Sequence, residues 1–375
     1  MIRIAFFAPV LATGGTQRHL QQVLGLLDPS RFAARVYTLR AGGEVEGELR
    51  EAGVPVTSLA IGPRLVSARA ARTVLHAARE LGAERVDVVH GYQWRPALVG
   101  AIAGRLAGVP LLLASKRSLT GESRQARRAW RLIARRVDTI IVNAEALRTE
   151  GTALGMSARW TMIPSGVDVD RFADAPAAAD AKAGLGLDPR RPVVGAVGRL
   201  ESRKGHDHFL AAARVMLARA NGLRPQLLIV GDGPLREPLE RRTTELGLEE
   251  SVTFTGAVRD VRAALAAMDV FVLPSHAEGM SNALLEAMAA ARPIVATAVG
   301  GTREVLEGDD AGVLVPPGDA DALATQILHL LADPRRAAGL GAGARRRVSD
   351  RFGARAMVAR LERLYEERLA QRSPA

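Results

Sequence analysis

The sequence predicts a doubly wound α/β protein built from two similar halves, and three observations predict it. Short apolar runs alternate with longer amphipathic ones along nearly the whole chain, the pattern of strands joined by crossover helices. The alternation restarts near residue 191, after "ADAPAAADAKAGLGLDPRRP", a stretch rich in Ala, Asp, Gly and Pro that reads as a linker with a short helix. The length, 375 residues, suits two domains of ordinary size with large cores. The expected division is a first domain over 1–170, a linker over 171–190 and a second domain over 191–350. A closing helix follows over 351–375, and it either finishes the second domain or crosses back to the first.

Taken in order, the first-half strands are "IRIAFF", "ARVYTL", "VDVVHG", "PLLLAS", "DTIIVN" and "WTMIPS". The second half offers "PVVGAVG", "PQLLIVG", "VTFTG", "DVFVLPS", "PIVAT" and "GVLVPP". Each is short, apolar and flanked by Gly, Pro, Asp or Asn, as buried parallel strands are. Helices from about Asp321 to Leu369 end the chain. The simplest architecture is two Rossmann-like domains facing each other across a cleft, with ligands outside the carboxyl ends of the strands.

Composition narrows the function classes. With 48% hydrophobic and 24% charged residues, the chain is globular rather than disordered. It has no cysteine, so disulfides, thiolate catalysis and cysteine-ligated metals are excluded. No apolar run approaches ~18 residues, the length that spans a bilayer. The opening "MIRIAFFAPVLATGG" resembles a brief signal peptide but runs into a Gly-Gly turn, so it reads as a buried strand and the expected location is cytoplasmic. Residues 1–170 carry +9 of the net +11 charge, so the basic excess belongs to the first half.

Pro274 to Thr297 reads "PSHAEGMSNALLEAMAAARPIVAT". Glu278 precedes a helix start at Gly279, Met280, Ser281 and Asn282, and Glu286 lies inside the helix. Free N–H groups at a helix start bind anions, and two carboxylates flanking them suit hydroxyl groups on either side. A nucleotide sugar has that layout: sugar, diphosphate, ribose. The strand "PVVGAVG" runs into "RLESRKG", so Arg199 and Lys204 leave a strand's carboxyl end together, between Gly198 and Gly205. Two cations there suit a diphosphate, the Arg as a fork and the Lys as a point charge.

"GRLESRKG", followed by "GDGPLR", "FTGAV" and "EGMSNALLE", together with "GGTQRHL" and "IPSGVDVDRF", resembles the retaining GT-B glycosyltransferases, glycosyl transferases group 1 (sequence family 4). The resemblance covers nearly the whole chain, and Glu278 to Glu286 matches the family's E-x7-E. It implies that Glu286 hydrogen-bonds the ribose, Glu278 lies beside the donor sugar, and the helix start meets the phosphates. It implies as well that Gly14, Gly15 and Gly231 line the donor pocket through backbone and shape. His90, which ends "VDVVHG", is either a packed core histidine or, as the resemblance favours, an active-site residue beside donor sugar or acceptor. Two departures stand out: Ala291 where the family commonly has Gly, and Ala144 in "VNAEAL" where Ser often follows Asn.

Metal binding is not expected. "DVD" at Asp168 to Asp170 imitates an Asp-x-Asp motif but sits after a strand in "PSGVDVDRF", where turn and cap duties explain it. The segment Glu122 to Asp138, "ESRQARRAWRLIARRVD", carries Arg124, Arg127, Arg128, Arg131 and Arg135 within about 100° of helical arc. It is a solvated face or a contact for anionic lipid or a phosphorylated carrier.

The sequence thus reads as a retaining, metal-independent glycosyltransferase without a cofactor. It would move a sugar from a nucleotide-diphosphate donor, expected to be UDP-linked, to an acceptor bound by the first domain. Polysaccharide, lipopolysaccharide or lipid-linked acceptors of envelope glycan synthesis are the expected class, with the enzyme soluble or peripheral on the inner face of the cytoplasmic membrane. A nucleotide-sugar epimerase or hydrolase is the rival. A nucleic-acid-binding protein is more remote, since only 4% of residues are aromatic and no binding module is present.

Overall fold

The computed structural model describes residues 1–372, apart from 13, 63, 64, 66, 120–122 and 221. Two compact units share the chain: Met1–Ser165 with Ala354–Ala375, and Gly166–Gly353.

In the first unit the described strands are β1 (Ile2–Ala8), β2 (Phe32–Thr38), β3 (Val56–Ser58), β4 (Val88–Tyr92), β5 (Leu111–Lys116), β6 (Thr139–Val142) and β7 (Trp160–Met162). They pair in the order β3-β2-β1-β4-β5-β6-β7, all parallel. β1 is buried from Ile4 to Ala8, as an apolar strand covered on both faces must be. Strand β3 was not among the expected strands. It has three half-buried residues at the sheet edge, too few for a periodic signal.

The second unit contains β8 (Val193–Val197), β9 (Gln226–Val230), β10 (Val252–Gly256), β11 (Val270–Leu273), β12 (Ile294–Thr297) and β13 (Val313–Val315), ordered β10-β9-β8-β11-β12-β13. Both sheets reverse their winding once, between β1 and β4 and between β8 and β11. Such reversals splay the flanking loops apart and leave a crevice at the carboxyl edge.

The stretch 171–190 is not a free linker. The turn Asp170–Phe172 and helix Ala178–Gly184 bury Phe172 and Ala181 in the core of the second unit, and Leu187 beyond the helix joins them. Helices Ala320–Ala332 and Pro334–Arg351 close that unit. The last helix, Ala354–Ala370, returns to the first, where Met357, Val358, Leu361 and Tyr365 pack with Ile4, Phe6 and Leu20. Residues 373–375 of the expected closing helix lie outside the described residues.

Candidate active site

The reversal between β8 and β11 positions the charged motifs. Beyond β8 the chain passes Gly198 and Arg199, makes a single turn over Ser202–Lys204, and enters helix His206–Arg219 through Gly205. Gly205 has φ +64°, and a Cβ there would lie 2.1 Å from the Pro274 carbonyl oxygen. Only glycine lets the two loops approach so closely. Gly231 at the end of β9 has φ +137°, and its Cβ would meet the Gly198 oxygen at 2.0 Å. Gly198 itself has room, its nearest neighbours standing 3.7 Å away.

These approaches bring the ends of β8 and β11 together. Lys204 Nζ donates to Glu278 Oε1 at 2.5 Å, and Ser275 Oγ donates to the same oxygen at 2.7 Å. Glu278 is 3% exposed, and burying a carboxylate is costly without such partners. Arg203 lies 3.8 Å from the other Glu278 oxygen and forms a 2.6 Å pair with Glu201, which also has Arg199 at 3.7 Å. The result is a cluster of three cations and two carboxylates on two adjacent loops. His206 is buried beside it, and burial, then Lys204, lowers its pKa to about 4, so it is neutral at neutral pH.

The helix after β11 spans Asn282–Ala289, with Ser281 as its N-cap accepting the Leu284 N–H. The Ser281 hydroxyl is therefore a cap, and the Met280 side chain belongs to the core. Gly279 is buried, and Glu286 lies half-buried on the second turn. Ala291, just beyond the helix, has φ +53°. That left-handed position favours glycine, which explains the residue common in the family and leaves alanine strained here.

Gly14 and Gly15 lie in the first unit, as N-cap and first residue of helix Gly15–Leu26. His90 is also in the first unit, and the active-site role expected for it is corrected. It is fully buried, with Nδ1 bonded to the Tyr365 hydroxyl at 2.9 Å and Nε2 to Ser115 Oγ at 2.8 Å. Burial, then Arg117, lowers its pKa to about 3. One ring nitrogen ties the last helix to the sheet and the other ties β4 to β5, so it is a core histidine.

The basic segment forms helix Arg124–Ala134, capped by Ser123, with Glu122 outside the described residues. Arg124, Arg127, Arg128, Arg131 and Arg135 are exposed, while Trp130 and Ile133 are buried. Asp170 opens the turn Asp170–Phe172. Among the described residues no group of three His, Asp or Glu is placed to hold a metal ion, and no helix is long and apolar enough to cross a membrane.

The sequence reading missed Arg203, Glu201, Ser275 and His206. Arg203 and Glu201 lay inside the quoted "RLESRKG", where their alternating charges were visible. Pairing across to Glu278 depends on the order of β8 and β11, which only the sheet reveals.

Residues 191–333 match the family described as glycosyl transferases group 1, and residues 14–166 match the glycosyl transferase 4-like domain. The chain belongs to the group 1 glycosyltransferases. Over 371 residues it is 32% identical to a GDP-mannose-dependent alpha-(1-6)-phosphatidylinositol monomannoside mannosyltransferase of Mycobacterium tuberculosis, covering 93% of each chain. It is 30% identical to a D-inositol 3-phosphate glycosyltransferase of Kineococcus radiotolerans, over 96% of this chain and 92% of that one. The fold of Anabaena HepE, solved with UDP-glucose, matches with a TM-score of 0.86 at 23% identity, over 98% of this chain and 100% of that one. As a group 1 glycosyltransferase of GT-B fold, the protein is a sugar-transferring enzyme, and its charged cluster lies in the part that matches the group 1 description.

Proposed function

We propose that this glycosyltransferase moves a sugar, with retention, from a nucleoside-diphosphate sugar held by its second unit to a saccharide or lipid-linked acceptor held by its first. The observation that carries the donor reading is the Arg199, Arg203 and Lys204 cluster at the winding reversal, beside a capped helix start. Cations and fixed N–H donors there stabilise a departing diphosphate without reorganisation. Lys204 and Glu278 act as a unit in this reading. The carboxylate holds the ammonium in place, and a hydroxyl of the donor sugar shares Glu278 once the phosphates attract Lys204. Glu286, one turn into the helix, takes the ribose hydroxyls.

A UDP-linked donor is the reading carried forward, and relatives whose names specify GDP-mannose make it the competing arm of the test. UDP-sugars and GDP-mannose are screened for thermal stabilisation, and the best is offered with candidate acceptors in the presence of EDTA. Transfer with the anomeric configuration kept is the expected result. Release of a free sugar or an epimerised nucleotide sugar without acceptor dependence would instead identify a hydrolase or epimerase. Activity that EDTA abolishes and Mg²⁺ or Mn²⁺ restores would overturn metal independence.

Peripheral membrane binding is part of the same proposal. The exposed arginines of helix Arg124–Ala134 have Leu132 beside them, and Leu106 at the end of helix Trp94–Leu106 is 59% exposed. Arg105 donates to the Arg136 carbonyl at 3.0 Å, which joins the two helix ends into one basic and apolar surface. Such surfaces bind anionic bilayers.

A further inference from the structure

Lys116 ends β5 and Arg117 follows it, and the partners of these two cations differ. Lys116 is fully buried and paired with Glu150 at 3.0 Å. Arg117 is partly buried, and among the described residues no carboxylate pairs with it. Its two hydrogen-bond partners among the described residues are neutral: NH1 meets His19 Nε2 at 3.2 Å and NH2 donates to Ser165 Oγ at 2.9 Å. A guanidinium has only donors, so His19 accepts there and must be an uncharged imidazole. Burial, then Arg117, keeps the His19 pKa well below its usual value, in agreement with that role. The guanidinium charge is therefore uncompensated.

The groups around Arg117 have hydrogen-bonding capacity to spare. Ser165 Oγ accepts from both Arg117 and Asn143 Nδ2, the latter at 2.9 Å, which leaves its own proton to give. The Tyr92 hydroxyl and Asn143 Oδ1 are buried without a hydrogen-bond partner among the described residues. The Tyr92 ring lies 5.7 Å from that of His19, the residue that accepts from Arg117. All of these residues follow or end β4 to β7 at the carboxyl edge, except His19 on the helix after β1. A buried cation and unmade buried hydrogen bonds are each costly to a fold, and together they fit a ligand that supplies an anion and a hydroxyl.

We infer that Arg117, Ser165 and Tyr92 form an anion subsite in the first unit that takes a phosphate group, with Asn143 Oδ1 accepting from a neighbouring hydroxyl of the same molecule. The inference rests on the proposed acceptor role of the first unit, and makes the acceptor a phosphorylated polyol, sugar or lipid headgroup. Arg117 is then a specificity residue, its charge balanced only when the ligand is bound.

The probe is glycerol 3-phosphate, a phosphate monoester with adjacent hydroxyls, titrated calorimetrically into the full chain with and without saturating UDP. The phosphate is expected to bind in both cases, and Arg117→Gln is expected to weaken it about tenfold or more. Asn143→Asp, nearly isosteric, adds a competing carboxylate to the cluster and should weaken the probe similarly, which covers the case that Arg117→Gln does not fold. Unliganded Arg117→Gln should melt at or above the wild-type temperature, since it removes an unpaired charge. Unchanged affinity in both variants, or no binding by wild type up to about 10 mM, would overturn the subsite. Binding that UDP abolishes would overturn it too, by placing the phosphate at Arg199 and Lys204. UDP binding is read in the same titration, so failure of the donor reading is seen separately.

Discussion

The two carboxyl edges handle charge differently. In the second unit, Lys204 and Arg203 share Glu278, and Arg203 and Arg199 share Glu201. In the first, Lys116 is paired with Glu150, but the buried groups around the next residue, Arg117, are neutral histidines, a tyrosine and an asparagine. A compensated cluster can hold several cations in a low-dielectric crevice before any ligand arrives, because its own carboxylates offset their desolvation. An uncompensated cation is affordable singly, when it is partly exposed. In the readings proposed above, the second edge meets a diphosphate and the first a single phosphate group on the acceptor.

The largest test breaks the compensated cluster. Lys204→Ala should lower turnover roughly 10²-fold or more. It should also cost about 3 kcal/mol of stability, because it strands the buried Glu278 carboxylate. If Lys204→Ala is as stable and active as wild type in urea titration and transfer assays, the pair neither stabilises nor catalyses. Glu278→Gln combined with Lys204→Ala should recover part of the stability and none of the activity.

Acid should separate the two edges. His90 and His206 have folded pKa values of about 3 and about 4, below the ~6.5 of an unfolded histidine. Their contribution is complete above that value. It is lost as pH falls from there through the folded values, because the unfolded chain takes up protons first. His19 adds to the loss in the first unit. The three tryptophans, Trp94, Trp130 and Trp160, all lie in the first unit, so their emission reports on it alone. Tryptophan-detected stability should fall by about 2–3 kcal/mol between pH 7 and 4, with no comparable fall between pH 9 and 7. An equal slope in both intervals would show that the buried histidines are not the cause.

A smaller effect concerns the helix that follows β11. Ala291→Gly should raise stability by about 1 kcal/mol, since it relieves a left-handed alanine, with transfer activity retained. A lower melting temperature would mean that the alanine methyl contributes packing that outweighs its strain.

The smallest change in stability is expected on the basic helix. Changing Arg124, Arg128 and Arg131 together to Ser should alter stability by less than about 0.5 kcal/mol. It should nonetheless release the protein from anionic vesicles in sedimentation at low salt. Wild type that never sediments with such vesicles would leave the helix as a solvated face.

Much of this protein was legible in its sequence because the signals were local. Strand cores such as "IAFF" and "LLIV" are apolar whatever they pair with, and "RLESRKG" announces cations at a strand's end. The five arginines share a face because helical geometry alone dictates it. The tertiary structure decided what depends on neighbours distant in sequence. "VDVVHG" reads the same whether its histidine faces a cleft or a core; the strand runs on to Tyr92, and the return of Tyr365 on the last helix holds His90 in the core. Lys204 and Glu278 are 74 residues apart, and their pairing follows from β8 lying beside β11. The missing carboxylate at Arg117 was equally invisible, because whether a buried charge is balanced depends on every element packed around it.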